Sequence, residues 1–108
     1  MQTSFTPNIA FGVANMNEAA MFYENVMGFR VTKRHDNYVE LDMGGAKLYL
    51  VEDSLRVPCL ELVANDVDAA GDYLEHHGCS VDEKHSEEAG ETIVRDPFGY
   101  YWCVSKAN

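Results

Sequence analysis

Positive charge is scarce in this sequence: eight Lys and Arg stand against eighteen Asp and Glu, a formal net charge of −10. Such a potential repels polyanions, which argues against nucleic acid and anionic membrane surfaces as partners, and it draws in cations. The same charge also serves solubility. Long apolar runs are missing: no stretch approaches the roughly 20 residues that span a bilayer. The segment Met1 to Pro7 has neither the basic region nor the apolar stretch of a signal peptide. Cysteine is sparse and odd in number, three with no Cys-x-x-Cys spacing. This argues against a disulfide framework or a zinc ribbon and points to a reducing cytoplasm. No Ser-His-Asp order or phosphate-binding glycine pattern is present, and Gly44-Gly45 reads as a turn. What is there, 108 residues with 46% hydrophobic, suffices for a single core.

The chain reads as a repeat. Setting Asn15 on Asp66 brings Met16 onto Val67, Asn17 onto Asp68 and Ala19 onto Ala70, and places Phe22-Tyr23 on Tyr73-Leu74. With one residue dropped, Gly28-Phe29-Arg30-Val31 meets Gly78-Cys79-Ser80-Val81, and Gly45 to Leu50 lies on Gly99 to Val104. Each half has the same physical signature. Residues 8–14 and 59–64 alternate as half-buried strands. Asn15 and Asp66 suit helix N-caps, since their side-chain oxygens can accept from orphan N–H groups. Met16, Ala19 and Tyr23, like Val67, Ala70 and Leu74, give each helix one apolar face. Gly28 and Gly78 stand where a left-handed cap is wanted. Three strands follow in each half, over 29–35, 37–42 and 46–51, then 79–84, 91–95 and 100–105. The polar segment 52–57 is the linker between module 1 (about 1–51) and module 2 (about 58–108). Residues 86–91 read as a solvated loop. The fold class expected is α+β, one domain of two βαβββ modules.

Paired βαβββ modules, each with a helix N-cap, together with Phe22-Tyr23, Gly28-Phe29 and the closing Asp96-Pro97-Phe98-Gly99 turn, resemble the vicinal oxygen chelate superfamily. That superfamily includes glyoxalase I, extradiol dioxygenases, fosfomycin-resistance enzymes and bleomycin-resistance proteins. The resemblance implies sheets curved around a cleft, with helices on the outer face. It also implies a divalent metal held by a His or similar donor from the first strand of each module and a carboxylate from the last. Carried over, those four positions are Asn8, Tyr49, Cys59 and Cys103, with no His and no carboxylate among them. Hard divalent ions want oxygen ligands, and Ni²⁺, Fe²⁺ and Zn²⁺ enzymes usually draw on imidazole with carboxylate. Cys59 and Cys103 are open to two readings: a soft-metal site completed by Glu61, or small apolar cleft walls. The four histidines occupy none of the matched positions: His76 and His77 end the second helix, and His35 and His85 fall at strand ends or loops.

Strand alternation assigns the cleft lining. Asn8, Cys59, Glu61, Lys47, Tyr49, Tyr101 and Cys103 face the cleft, joined by Tyr38 and Glu40 on the third strand. Ala10, Gly12, Val51, Val63 and Ser105 share that face, whereas Leu48, Leu50, Trp102 and Val104 pack under the helices. Tyrosines beside a carboxylate suit a planar or cationic organic ligand. Glu61 is costly to bury unless paired or wet, so either the cleft is open to water or a basic group meets it, with Lys47 the candidate partner.

Two functions from different classes follow. One is a metal-free, cofactor-free small-molecule-binding protein of the glyoxalase/bleomycin-resistance type, a homodimer that sequesters a cationic aromatic compound, as in antibiotic resistance. The other is a metal-dependent lyase, isomerase or dioxygenase of the same superfamily with non-standard ligands, or a metal-free catalyst with Glu61 as general base. Loss of the customary ligands favours binding, because chemistry in this superfamily depends on metal Lewis acidity.

Overall fold

The computed structural model describes residues 3–107. The elements run β1 (Thr3–Val13), α1 (Met16–Asn25), β2 (Arg30–Arg34), β3 (Val39–Asp42), β4 (Lys47–Glu52), β5 (Cys59–Ala64), α2 (Val67–His76), β6 (Ser80–Val81), α3 (Glu83–Ala89), β7 (Thr92–Arg95) and β8 (Tyr101–Lys106). The strands form one curved, open sheet in the order β2-β3-β4-β1-β5-β8-β7-β6. Each half supplies four neighbouring strands, and β1 meets β5 antiparallel at the centre. The linker, though short, lets the two modules pair within one chain.

The repeat sets the register. Ile9 and Leu60 are matched positions; Ile9 pairs in parallel with Leu48 and Leu60 in parallel with Trp102, themselves matched. Ile9 and Leu60 also pair with each other, so a pseudo-two-fold axis passes between them. The caps repeat as well: Asn15 Oδ1 accepts from Glu18 N at 2.9 Å and Asp66 Oδ1 from Ala69 N at 3.0 Å. Each helix then buries its apolar face on its own half of the sheet. Under α1, Ala20 packs with Val39, Leu41, Leu48 and Leu50; under α2, Ala70 packs with Ala64, Val94 and Val104. Each large side chain fully buried there contributes about 1.5–3 kcal/mol.

The halves part company after α2. Alternation predicts a strand over 79–84 and a loop over 86–91; the chain instead makes the two-residue β6 and then α3. Asp82 caps α3, its Oδ1 accepting from His85 N at 3.0 Å while Oδ2 lies 2.6 Å from His85 Nδ1. His85 therefore sits on a helix rather than in a loop. Ser86 Oγ accepts from Ile93 N at 2.8 Å and donates to the Ile93 carbonyl at 3.2 Å, fastening α3 to β7. No residue of α3 is buried, so no apolar periodicity announced it.

The connection from Asp53 to Pro58 crosses the concave face as a strap. Leu55, only 7% exposed, packs there on Cys59, Ile93 and Cys103. Ser54 ties the strap to α3: its N and Oγ donate to Glu88 Oε1 at 3.2 and 2.7 Å. Gly12 makes the crossing possible, because a Cβ there would overlap Asp53 Oδ1 and the Leu55 carbonyl. No helix among the described residues is long and apolar enough to cross a membrane.

Candidate functional site

Between the halves, the concave face forms a cleft of about 310 Å³, within the range of small-molecule sites. Of the nine residues expected to line it, Asn8, Tyr38, Tyr49, Glu61 and Cys103 do. Glu40 lies one strand out, paired in register with Tyr49, and Lys47 Nζ stands 3.9 Å from Glu40 Oε1. Cys59 is buried under Leu55, and Tyr101 lies beneath the Arg95 guanidinium, 5.9 Å from its ring centre.

Glu61 is held by neutral donors. Between Phe5 and Ile9, β1 bulges away from β5, where Pro7 has no N–H to give the ladder. The bulge turns the side chains on either side of Pro7 toward Glu61: Thr6 Oγ1 donates to Oε1 at 2.7 Å and Asn8 Nδ2 at 3.2 Å. From β8, Ser105 Oγ donates to Oε2 at 3.4 Å. Of the two alternatives for Glu61, the pair with Lys47 does not form, since Lys47 goes to Glu40, on the neighbouring strand, at 3.9 Å. Three hydrogen bonds thus orient a carboxylate in the cleft without neutralising it.

The opposite wall is aromatic. Tyr38 and Tyr49 meet edge to face with centroids 5.7 Å apart, and His35 stacks on Tyr38 at 5.0 Å. Burial, then the charge of Glu40 and a hydrogen bond to it, pushes the Tyr49 phenol up to about 12. Tyr49 therefore stays neutral, a hydrogen-bonding aromatic face rather than an anion.

The four positions carried over from the superfamily do not suit a divalent ion. Both polar atoms of Asn8 are engaged, Oδ1 accepting from Lys47 N at 3.0 Å and Nδ2 donating to Glu61. The Cys103 thiol is pushed far up by its contact with Cys59, by burial and by the charge of Glu91, so it stays protonated. Glu61 does not join the cysteines; Cys103 Sγ instead donates to Glu91 Oε2 at 3.2 Å. No group of three or more His, Cys, Asp or Glu among the described residues could hold a metal ion.

Glu91, with Ala89 and Gly90, is the part of the lining that lay hidden in the supposed loop. Asn37, also in the wall, offered no sequence signal beyond its hairpin. The Glu91 carboxyl is raised by burial above all, partly offset by the Cys103 hydrogen bond, and raised further by the charge of Glu61. Although Glu91 remains accessible from the open cleft, its carboxylate points at the thiol on the floor. A second groove adjoins the cleft, sharing Asn37, Val51, Ala89 and Gly90 and lined also by Asp36, Glu52, Glu87 and Glu88. Charge is uneven between the modules: residues 58–108 carry eleven acidic and three basic side chains, residues 1–51 five and four.

A curved open sheet of two βαβββ modules, cupping a cleft at their junction, defines the vicinal oxygen chelate class. The family model for the Glyoxalase/Bleomycin resistance protein/Dioxygenase superfamily matches residues 7–104, and the chain belongs to that superfamily. Solved structures share its fold at low identity. A glyoxalase/bleomycin resistance protein/dioxygenase superfamily member from Vibrio splendidus 12B01 is 14% identical with a TM-score of 0.61, covering 98% of this chain and 100% of that one. A methylmalonyl-CoA epimerase from Streptomyces coelicolor, in complex with 2-nitronate-propionyl-CoA, is 18% identical with a TM-score of 0.63, covering 96% of each chain. A Legionella pneumophila protein described as an NAD-dependent benzaldehyde dehydrogenase is 15% identical with a TM-score of 0.68, covering 94% of this chain and 98% of that one. A search of curated proteins finds no match.

Proposed function

We propose that this protein is a metal-free member of its superfamily that binds a small aromatic cation in the cleft. The observation that carries this reading is Glu61, oriented by Thr6, Asn8 and Ser105 and facing Tyr38 and Tyr49, with its charge left for a ligand. Stacking on tyrosine and pairing with a carboxylate are complementary ways to hold a planar cation. Net negative charge concentrated in module 2 steers such a ligand toward the cleft. The Asn8, Tyr49, Cys59 and Cys103 positions, chemically unsuited to a divalent ion, support binding over metal-assisted catalysis.

Titration calorimetry with benzylamine, benzyl alcohol and benzoate tests this directly. The cation should bind tightest, and Glu61→Gln should weaken it about 10- to 100-fold, the worth of a hydrogen bond to a charged group. Equal affinity for the three compounds, or no loss on Glu61→Gln, would sink the reading. Calorimetry is preferred to intrinsic fluorescence because Trp102 faces away from the cleft, donating to Asp96 Oδ2 at 2.9 Å.

The chain is further proposed to act as a cytoplasmic homodimer. Met21, Phe22, Val26 and Met27 are exposed on and just after α1, in the nearly neutral module, where like-charge repulsion opposes self-association least. Two-fold pairing is the commonest closed symmetry for such contacts.

A further inference from the structure

Glu61 has a second carboxylate beside it that the sequence did not disclose. Glu91 reaches the same cleft from the residue before β7, and Ser105 on β8 lies against both, donating to Glu61 Oε2 at 3.4 Å. The donors that touch the pair are Thr6, Asn8, Ser105 and Cys103, all neutral. The basic groups nearby are committed elsewhere: Lys47 to Glu40, and Arg95 over the Tyr101 ring. Two like charges, one on β5 and one just before β7, with no cation between them among the described residues, repel each other until a ligand supplies one.

Neighbouring donors already occupy most of what Glu61 can accept, whereas Glu91 has the thiol and Ser105 as its side-chain partners. A ligand that answers both must therefore direct N–H bonds to two places at once. We propose that Glu61 and Glu91 form a two-carboxylate anchor that selects planar N–H-bearing cations, amidinium or guanidinium groups, over quaternary ammonium ions of the same charge. The flat cation lays its face toward Tyr49 and sends N–H bonds to each carboxylate, as a fork of fixed geometry can and a tetrahedral cluster of methyl groups cannot. This selection rests on the cation-binding reading of the cleft.

The test compares benzamidine with phenyltrimethylammonium, which share a ring and a charge, by titration calorimetry on the intact protein. The wild type should prefer benzamidine by about tenfold or more, the worth of one charge-assisted hydrogen bond. Glu91→Gln should remove most of that preference, weakening benzamidine about tenfold more than phenyltrimethylammonium, which loses only the long-range attraction, and Glu61→Gln should weaken both. Glu91→Asp, which keeps the charge but withdraws it by one methylene, should fall between. Urea midpoints of all variants guard against misfolding being read as lost selectivity. Equal affinity of the wild type for the two cations overturns the anchor, as does a benzamidine preference that survives Glu91→Gln. If both cations bind and only Glu61→Gln matters, the anchor fails while the cation-binding reading stands. If neither binds, both fail together.

Discussion

The same added methyl group should have opposite effects at two glycines of this protein. At Gly12 an Ala Cβ would overlap Asp53 Oδ1 and the Leu55 carbonyl, and would sit 2.7 Å from Asp53 Cγ. The obstacle is partly backbone, so the strap must lift rather than a side chain swing aside. Lifting it withdraws Leu55 from Cys59, Ile93 and Cys103, and re-exposing a buried Leu costs about 1.5–3 kcal/mol. With the Ser54–Glu88 contacts loosened as well, Gly12→Ala should destabilise by about 2–4 kcal/mol, toward the upper end of ordinary point substitutions. At Gly71, inside α2, the new Cβ meets only Thr92 Cγ2 at an ordinary 3.7 Å. There Gly→Ala removes unfolded-chain entropy and should stabilise by about 0.5–1 kcal/mol. Urea unfolding followed by far-ultraviolet circular dichroism reads both, with the slope checked for constancy. Gly12→Ala should also speed labelling of Cys59 and Cys103 by a thiol reagent, since Leu55 covers them. A Gly12→Ala protein within about 0.5 kcal/mol of wild type, the range of innocuous surface changes, would refute the account of the strap.

Other expected outcomes are narrower. Because burial holds the Glu91 carboxyl above its usual range, its favourable contribution is complete in acid and is lost as pH rises through the folded-state value. Glu91→Gln should therefore stabilise the protein at neutral pH, and urea midpoints across an acid series should show the gain shrinking as pH falls. The Tyr49 phenol, pushed up to about 12, should account for the last phenolate absorbance to appear in an alkaline titration, and Tyr49→Phe should delete that step. Protein expressed in metal-supplemented medium should carry well under one equivalent of nickel, iron or zinc; a full equivalent by elemental analysis contradicts the metal-free proposal. Light scattering should give a dimer mass that Phe22→Glu with Met27→Glu reduces to a monomer; an unchanged mass removes α1 from the interface.

Much of this arrangement was legible in the sequence, for physical reasons that differ from element to element. Asn15 and Asp66 announced their helices because a cap needs a short polar side chain at one position. The internal repeat matched Ile9 with Leu60 and Leu48 with Trp102, so the two halves had to pair their strands alike, although which strands meet came only with the structure. By contrast α3 was invisible: it is seven residues long and buries none of them, so its polarity read as solvation. Glu91 was lost with it. Which of the two alternatives for Glu61 would hold, water or Lys47, was not legible for another reason. Simple alternation gives a face but not a neighbour, and the bulge around Pro7 brought Thr6 and Asn8 to Glu61 first. Register irregularities of this kind depend on how two strands distant in sequence meet, and a single proline is a weak signal of them.

The axis between Ile9 and Leu60 has a consequence for what the cleft can recognise. Were the two modules separate, identical chains, the cleft would have to present every side chain twice, and a ligand could enter it in either of two equivalent directions. Joined in one chain, matched positions are free to differ: Tyr49 stands in one module where Cys103 stands in the other, and Ala10 where Glu61 does. One bank of the cleft has become aromatic and the other acidic, so a ligand with a ring at one end and a charge at the other has a single direction of entry. A fold with near-rotational symmetry thereby acquires polarity, and each chain offers one oriented seat rather than two half-sites.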